Sequence, residues 1–170
     1  HYLLNGTKNW ITSGSTASTY IVIAQTDVDK GHKGINAFII ERGMEGFIVG
    51  AKEDKLGIRG SDTHSLMFTD VKVPKENRIG EDGFGFTFAM KTLSGGRIGI
   101  ASQALGIASG AYELALQYSK ERKAFGKEIS KHQAIAFKLA DMATEIEAAR
   151  LLCLKAAWLK DNGQNYDKIG

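Results

Sequence analysis

The sequence predicts an α+β protein, in which an antiparallel β-barrel or sandwich is followed by long antiparallel helices of an incomplete four-helix bundle. Residues 1–79 contain short β-branched and aromatic runs separated by Gly, Asp, Asn and Ser, which is typical of antiparallel strands. Beyond Gly80, apolar residues recur every three or four positions, which is typical of buried helix faces. We therefore predict a β-domain over residues 1–79, incomplete at its N-terminal side, and the first part of a helical bundle domain over residues 80–170.

The first part contains several runs that favour strands. These runs are residues 20–24, 37–41, 47–49 and 65–71. An Asn5-Gly6 turn is expected to precede one more extended segment, where strand alternation places Trp10 and Thr12 on one face and Ile11 on the other. The single proline, Pro74, is expected to end the last strand, because proline has no amide hydrogen to donate to a sheet.

The second part predicts two long helices. The first extends from about residue 95 to residue 122, and the second ends at Asn162-Gly163, a common C-terminal cap pair. Glycines inside the first helix indicate close approach by another backbone or a ligand; they are Gly99, Gly106 and Gly110. The expected buried stripes are Ile98, Ala101, Leu105, Ala108, Tyr112 and Ala115 in the first helix, and Ile135, Leu139, Met142, Ile146, Ala149, Cys153 and Ala156 in the second. A further apolar line in the second helix, at Leu151, Leu154 and Trp158, predicts contact with additional helices of the protein or of other subunits.

Composition argues against several classes of function. The net charge is +3 and the basic residues are spread along the chain, so nucleic acid and membrane partners are not expected. No apolar run approaches the length that a membrane crossing needs. The single cysteine, Cys153, is expected to be a buried thiol, and no metal site is expected. The chain opens on His1-Tyr2 with neither an initiator Met nor a signal-peptide layout, so we expect a fragment without a targeting segment.

The order of motifs along the chain is more specific than any single motif. The motifs are Trp10-Ile11-Thr12, GIRGSDT at residues 57–63, FTDVKVP at residues 68–74, Arg97-Ile98-Gly99-Ile100-Ala101, and ERKAFGK at residues 121–127 with His132-Gln133 behind it. Over essentially its whole length the sequence resembles the acyl-CoA dehydrogenase family. Its Gly-Arg-Ile-Gly-Ile-Ala segment most resembles the short-chain branch, which prefers butyryl-CoA.

The resemblance implies a flavoenzyme with an N-terminal helical domain, a middle β-domain and a C-terminal four-helix domain, assembled as a homotetramer. This chain would carry the middle domain and the first two long helices of the last. The whole enzyme would use FAD to oxidise a short-chain acyl-CoA to its trans-2-enoyl-CoA, in fatty acid β-oxidation or butyrate metabolism, and would pass electrons to an electron-transferring flavoprotein. The expected compartment is the cytoplasm in a bacterium and the mitochondrial matrix in a eukaryote.

The Trp10 segment, taken alone, is more simply explained as a strand end that packs on a core. The resemblance changes this interpretation, because it implies that Trp10, Ile11 and Thr12 lie against the isoalloxazine ring of FAD. The indole would pack beside the ring, and the Thr12 hydroxyl would hydrogen-bond the N5 edge. A hydrogen-bond donor at that edge tunes the electron affinity of the flavin.

A second group is expected to reach the ADP half of an FAD held mainly by a neighbouring subunit. A guanidinium suits a pyrophosphate because it donates a planar pair of hydrogen bonds, and an adjacent aromatic ring can pack on adenine. The residues that the resemblance implies are Arg122, Lys123, Ala124, Phe125, His132 and Gln133. Many relatives have Thr at the position of Ala124, so one hydroxyl contact is missing here. The alternative for Arg122 is a surface ion pair with Glu121 or Glu128.

A third group, Ser94, Gly95, Gly96 and Arg97, is implied to open a long helix beside the acyl-CoA. Many relatives have Asp where Ser94 stands. Some branches carry their catalytic glutamate immediately before the arginine, and Gly96 cannot remove a proton. The resemblance therefore places the base on a later segment, C-terminal to Gly170, and implies that this chain is inactive by itself.

The sequence leaves open three alternative functions and the interpretation of two short segments. An acyl-CoA oxidase or a branched-chain dehydrogenase would share the fold, and so would a non-catalytic binding relative. The GIRGSDT segment is as compatible with an ordinary turn as with a ligand contact. The basic loop at Lys30, His32 and Lys33 has the charge to meet a CoA phosphate, and equally that of a solvated hairpin tip.

Overall fold

A computed structural model describes residues 1–168, which belong to two compact units, residues 1–90 and the residues from 91 onward. The first unit contains strands β1 to β5, and a long helix, α1, begins at its end. The second unit contains most of α1, a short hairpin of β6 and β7, and helix α2. The strands are β1 (Tyr2–Thr12), β2 (Thr19–Gln25), β3 (Ile35–Glu41), β4 (Phe47–Lys52), β5 (Thr63–Val73), β6 (Lys123–Ala124) and β7 (Lys127–Glu128), and the helices are α1 (Gly85–Glu121) and α2 (Gln133–Asp161).

The first unit is a sandwich of two antiparallel sheets. One sheet has the order β1-β5-β4, and the other consists of β2 and β3. Alternate side chains of both sheets are buried in one shared core, as the two-residue period of strands requires. The buried core residues are Leu4, Tyr20, Val22, Phe38, Ile40, Leu66, Phe68, Val71 and Val73. Of the two predicted architectures the sandwich is confirmed, and the closed barrel is wrong for the described chain, because the two sheets do not pair with each other there.

The predicted Asn5-Gly6 turn is wrong, since both residues lie inside β1. The register of β1 against β5 shifts between Leu4 and Gly6, and Gly6 has a φ of 135°. The Asn5 side chain donates to the Asp70 carboxylate (3.0 Å) and accepts from the Asp70 amide (2.8 Å). The Asn-Gly pair therefore forms a β-bulge, because its side chain bonds to the neighbouring strand instead of closing a hairpin.

The predicted role of Pro74 is confirmed, because β5 ends at Val73. Buried Asn36 then fixes the chain ahead of α1. Its amide donates to the Thr26 hydroxyl (2.8 Å) and the Asp82 carboxylate (2.9 Å), and its oxygen accepts from the Gly83 amide (2.9 Å). A Cβ on Gly85 would lie 2.4 Å from the Asn36 carbonyl carbon, so the first turn of α1 needs glycine there.

Helix α1 begins ten residues earlier than the predicted start at residue 95, since its first residue is Gly85. Gly95 and Gly96, which follow residues 85–94, have low helix propensity and carry no apolar side chain, so they interrupt the periodic pattern after this part of the helix. At the C-terminal end of α2, the predicted cap is confirmed. Gly163 has a φ of 66°, its amide donates to Lys160, and the Gln164 amide donates to Leu159, which is a Schellman motif.

Helices α1 and α2 run antiparallel, as predicted. The Arg150 guanidinium donates to the Ser109 hydroxyl at 3.3 Å, and Lys160 lies beside Gly95. The stripe of α1 that is least exposed comprises Ile98, Leu105, Ser109, Tyr112, Leu116 and Ser119, whereas the predicted Ala101, Ala108 and Ala115 are exposed. The prediction is therefore right for Ile98, Leu105 and Tyr112, which are half-buried, and wrong for the three alanines, which lie beside the covered face.

The stripe of α2 agrees better with prediction. Ala156 is buried and most of the other predicted members are half-buried, including Cys153, which was expected to be fully buried. The exceptions are Ala149, which is exposed, and the additional apolar line of Leu151, Leu154 and Trp158, whose members are 59%, 61% and 56% exposed. Within residues 1–168, no helix combines the length and apolar character that crossing a bilayer requires.

Candidate functional site

The first predicted group lies at the end of β1, where the strand becomes irregular. The register shifts between Lys8 and Ile11, and Trp10 has a φ of 56°. Trp10 is 74% exposed and Thr12 is also exposed, whereas Ile11 packs against the core. The indole and the hydroxyl are thus presented to the surroundings, with Ile11 on the opposite side, as the alternation of the strand predicts.

Residues 10–15, which we call the Trp10 turn, are held from one side by Asp62. The Ser13 amide donates to the Asp62 carbonyl (2.9 Å), and the Asp62 carboxylate accepts from the Ser15 amide (2.8 Å) and hydroxyl (2.9 Å). Burial raises the pKa of Asp62, but the hydrogen bonds from Ser15 and the neighbouring His64 outweigh burial, so the pKa lies below its ordinary value. Asp62 is therefore a carboxylate that anchors the turn.

Tyr20 and Arg42 hold the Trp10 turn from the other side. The Tyr20 hydroxyl lies 2.9 Å from the carbonyl oxygens of both Gly14 and Ala17. The Arg42 guanidinium donates to the Tyr20 oxygen (3.0 Å), the Gly14 carbonyl (3.3 Å) and the Ser15 carbonyl. Ser13, like Trp10, has a positive φ, of 61°, so these contacts maintain a backbone conformation that L-residues rarely adopt.

Sequence reasoning missed Tyr20, Arg42 and His64 as parts of this site. The sequence indicated Asp62 only as a member of the GIRGSDT segment, which is as compatible with an ordinary turn as with a ligand contact. Its side chain makes a turn-supporting contact, and the rest of the segment folds locally through Lys55, whose ammonium donates to the Ser61 carbonyl and the Thr63 hydroxyl, both at 2.8 Å.

The second group lies on and beside the β6-β7 hairpin. Phe125 and Gly126 form its tip with φ values of 52° and 80°, the pattern of a type I′ turn, and the Phe125 ring is 97% exposed. His132, at the N-cap of α2, hydrogen-bonds the Ala124 carbonyl at 3.1 Å, and its ring meets the Phe125 ring edge-on at 6.1 Å between centroids. The hairpin thus holds an aromatic plane in the open, while Gln133 begins α2 beside it.

Arg122 does not form the alternative ion pair. Glu128 pairs with Lys131 at 3.2 Å, and the Glu121 carboxylate accepts from Gln117 at 2.9 Å. The backbone of Arg122 is fixed by bonds to Tyr118 and Ile129, while its side chain is exposed and makes no ion pair within residues 1–168. Lys123, next to it, is exposed as well, so two exposed cations shortly precede Phe125 in the chain.

The third group lies inside α1, not at its start. Ser94 and Gly95 are half-buried, and Gly96 and Arg97 are exposed. The rise of an α-helix places Arg97 about 35–40 Å from the Arg122 end of α1. One copy of the helix therefore presents two separate groups, with no carboxylate at position 96.

The predicted basic loop makes contacts within the first unit. Lys30, in the basic loop, pairs with Asp27 at 3.1 Å, and the His32 ring lies 5.5 Å from the Phe86 ring. Within residues 1–168, no three His, Cys, Asp or Glu side chains are arranged to share a metal ion.

Comparison with known proteins identifies two domains of one family. The acyl-CoA dehydrogenase middle domain matches residues 1–71, and the acyl-CoA dehydrogenase C-terminal domain matches residues 83–169. A short-chain specific acyl-CoA dehydrogenase of Clostridium acetobutylicum is 56% identical over 166 residues, which make up 98% of this chain and 44% of that protein. The CarC subunit of a caffeyl-CoA reductase-Etf complex of Acetobacterium woodii is 51% identical over 168 residues, or 99% of this chain and 44% of that protein.

The solved structure of butyryl-CoA dehydrogenase from Megasphaera elsdenii is similar to this fold. Its TM-score is 0.93 at 56% identity, with 99% of this chain and 44% of that chain covered. The chain therefore spans less than half the length of these relatives. Two domain matches in the family order, supported by relatives of this similarity, show that the chain belongs to the acyl-CoA dehydrogenase family.

Proposed function

We propose that this chain is the flavin-facing part of an FAD-dependent acyl-CoA dehydrogenase that oxidises short-chain acyl-CoA to trans-2-enoyl-CoA. The observation that carries the proposal is the Trp10 turn, where an exposed indole and an exposed hydroxyl are held next to each other in a strained backbone. Such strain persists only where surrounding contacts enforce it, and it is concentrated at functional sites. The similarity to short-chain and butyryl-CoA dehydrogenases supports the substrate class.

The residues of the Trp10 turn fit a flavin. The Trp10 ring has most of its surface uncovered, and the Thr12 hydroxyl takes part in no side-chain hydrogen bond within the described chain. A planar ring system could therefore pack on the indole and accept a hydrogen bond from Thr12. When bound, FAD would supply the acceptor for the β-hydride of the acyl chain, and Thr12 would orient and polarise that acceptor edge.

The hairpin residues fit the other half of the same cofactor. The Arg122 guanidinium, which forms no ion pair with the described residues, and Lys123 would bind pyrophosphate. Phe125 would pack on adenine, with His132 supporting its ring. Ala124 has no hydroxyl to donate, and Gln133 offers an exposed side-chain amide. The separation of about 35–40 Å between Arg97 and Arg122 supports the proposal that these groups serve sites on different copies, which makes a homotetramer part of cofactor binding.

Ser94, Gly95, Gly96 and Arg97 would line the path of the acyl-CoA. Arg97 makes no ion pair within the described residues, so its charge is available to the substrate. Because Gly96 has no side chain to accept a proton, we place the glutamate base in a part of the full-length protein beyond this chain. The isolated chain would then be inactive.

The proposed division into domains remains residues 1–79 and 80–170, and the family matches, which leave residues 72–82 between them, support a boundary near residue 80. Electron-transferring flavoprotein is the proposed electron acceptor, supported by the Etf complex to which the Acetobacterium woodii relative belongs. The proposed compartment is the cytoplasm of a bacterium or the mitochondrial matrix of a eukaryote.

An anaerobic titration of the FAD-loaded full-length protein with butyryl-CoA tests the function. We expect rapid bleaching of flavin absorbance by butyryl-CoA, slower bleaching by branched or long acyl-CoAs, and no reaction of the isolated chain. Preference for a branched acyl-CoA would reassign the substrate, and rapid reoxidation by oxygen would indicate an oxidase. Bound FAD that no acyl-CoA reduces would make the protein a non-catalytic relative.

A further inference from the structure

His64 lies on β5 behind the Trp10 turn, and both of its ring nitrogens face hydrogen-bond acceptors. Nδ1 is 2.8 Å from the Gly50 carbonyl oxygen of β4, and Nε2 is 2.8 Å from the Asp62 carboxylate. The residue is 8% exposed, so water cannot readily replace either partner. The turn itself packs on His64, because a Cβ added to Gly14 would lie 2.7 Å from the His64 Cβ.

A neutral imidazole carries one N–H and therefore satisfies only one of these two contacts. The other nitrogen would then direct its lone pair at an oxygen lone pair, which is repulsive and costly in a buried site. A carbonyl oxygen cannot donate a proton, and the hydrogen bonds to Asp62 favour its ionised form. The arrangement is satisfied on both sides only when His64 is an imidazolium paired with the Asp62 carboxylate.

We propose that protonated His64 and ionised Asp62 are a positioning pair that fixes the Trp10 turn. The inference rests on the proposed function, because it assigns the pair to the flavin-facing surface. Asp62 transmits the effect, since its Oδ1 accepts from both His64 and the Ser15 hydroxyl (2.9 Å), while its Oδ2 accepts from the Ser15 amide (2.8 Å). Neither residue touches the cofactor in this scheme.

Several other charged groups lie on the elements packed around His64. Lys52 is its partner across the β4-β5 ladder, Glu53 and Lys55 follow in the next loop, and Arg42 reaches the Ser15 carbonyl. The three cations oppose a positive His64, and Glu53 favours it. Among the described residues Asp62 alone is in charged contact with the ring, so the pairing depends on Asp62.

The consequence is that order in the turn depends on the His64 side chain. Without it, the Gly50 carbonyl and the Asp62 carboxylate each lose a hydrogen-bond donor. The Ser15 contacts then weaken, and Trp10 and Thr12 lose their fixed position.

The first test needs no cofactor. Full-length protein labelled with ¹⁵N-histidine is studied by ¹H–¹⁵N correlation at neutral pH, with His64 assigned by its absence in H64Q. We expect proton signals on both ring nitrogens, and faster amide exchange of the peptide that contains Ser13 and Ser15 in H64Q than in the wild type. A single ring N–H, or exchange in that peptide unaffected by H64Q, would overturn the proposal.

The second test compares the visible circular dichroism of bound FAD at neutral pH in the wild type and its variants. We expect H64Q and D62N to change the spectrum, and the control H32Q to leave it as in the wild type. At neutral pH, H64Q is expected to bind FAD roughly tenfold more weakly, the effect of losing one charge-assisted hydrogen bond. An H64Q spectrum identical to that of the wild type, with FAD bound, overturns the pair, whereas a wild type that binds no FAD overturns the proposed function and leaves the first test to decide the pair.

Discussion

Two exposed aromatic side chains, Trp10 and Phe125, lie where the backbone takes a left-handed conformation, with φ values of 56° and 52°. Such a conformation costs about 1–3 kcal/mol for a residue that has a Cβ. In the Trp10 turn, bonds from Tyr20, Arg42 and Asp62 offset this cost. In the hairpin, Gly126 supplies the second left-handed residue without penalty. At the scale of single residues, the fold thus exposes two aromatic rings in backbone conformations that lower its stability.

Removal of the Asp62 charge is expected to destabilise the protein at neutral pH but not in acid. The pKa of Asp62 is depressed in the folded state, so its contribution is present above its unfolded value of about 3.9 and is lost as the pH falls through the folded value. The urea midpoint of D62N should therefore lie below that of the wild type at about pH 7, and the difference should shrink near about pH 3. Exposed Asp54 provides the control, since D54N should match the wild type at both pH values; a constant D62N deficit would contradict the assignment.

Loss of the Arg122 guanidinium is expected to weaken FAD binding. A hydrogen bond to a charged group contributes about 1.5–3 kcal/mol, which corresponds to roughly 10-fold to 150-fold in affinity. The measurement is FAD affinity of the full-length R122A protein by flavin fluorescence. R150A is a matched control, because the Arg150 guanidinium already forms a salt bridge with the Glu147 carboxylate at 3.2 Å. Equal affinities of R122A and R150A would remove Arg122 from the cofactor site.

At the scale of elements, the ends of β5 and α2 are set by local chemistry. The start of α1 and the bulge in β1 are set by contacts with residues distant in sequence. Pro74 and Gly163 act through their own backbone, so the ends of β5 and α2 follow from the sequence. The start of α1 depends on Asn36, which is distant in sequence and bonds to Asp82 and Gly83. The Asn5-Gly6 bulge likewise depends on Asp70, so a local turn rule gives the wrong element.

The turn before β4 offers a test of this dependence on contacts. Gly43 and Gly46 both have positive φ, of 91° and 82°, but only Gly46 is crowded, since a Cβ there would lie 2.0 Å from the Thr69 carbonyl oxygen. We expect G43A to cost about 1 kcal/mol of unfolding free energy and G46A at least about 2 kcal/mol more, because β4 must move away from β5. Equal losses in chemical unfolding of the full-length protein would show that conformation alone, and not the close approach, requires glycine at position 46.

At the scale of the whole chain, the described helices leave much apolar surface uncovered. Leu151, Leu154 and Trp158 of α2 are all more than half exposed. In α1 the described chain leaves open space around Gly99, Gly106 and Gly110, so no part of it makes the predicted close approach. A contiguous apolar face of this kind is typical of an interaction surface.

The isolated 170-residue chain is therefore expected to self-associate. Sedimentation should show oligomers at about 10–100 μM, the micromolar range in which exposed apolar surface drives association. The double variant L151Q/L154Q should shift the chain toward monomer with little change in helical circular dichroism, because both side chains are exposed. K155Q, on the same helix, should leave association unchanged; a monomeric wild-type chain would contradict this expectation.

The sequence by itself determined the division into strands and helices, the ends of β5 and α2, and the family, because periodicity, proline, glycine and ordered motifs act locally or are read directly. Only the tertiary structure decided what holds the Trp10 turn and that Arg122 forms no ion pair within residues 1–168. Tyr20, Arg42, Asp62 and His64 are separated along the chain and meet only when two sheets and a loop converge. The physical reason is that a hydrogen-bond network depends on which acceptors face each donor. Strand order and register determine this pairing, and both are properties of the assembled sheets.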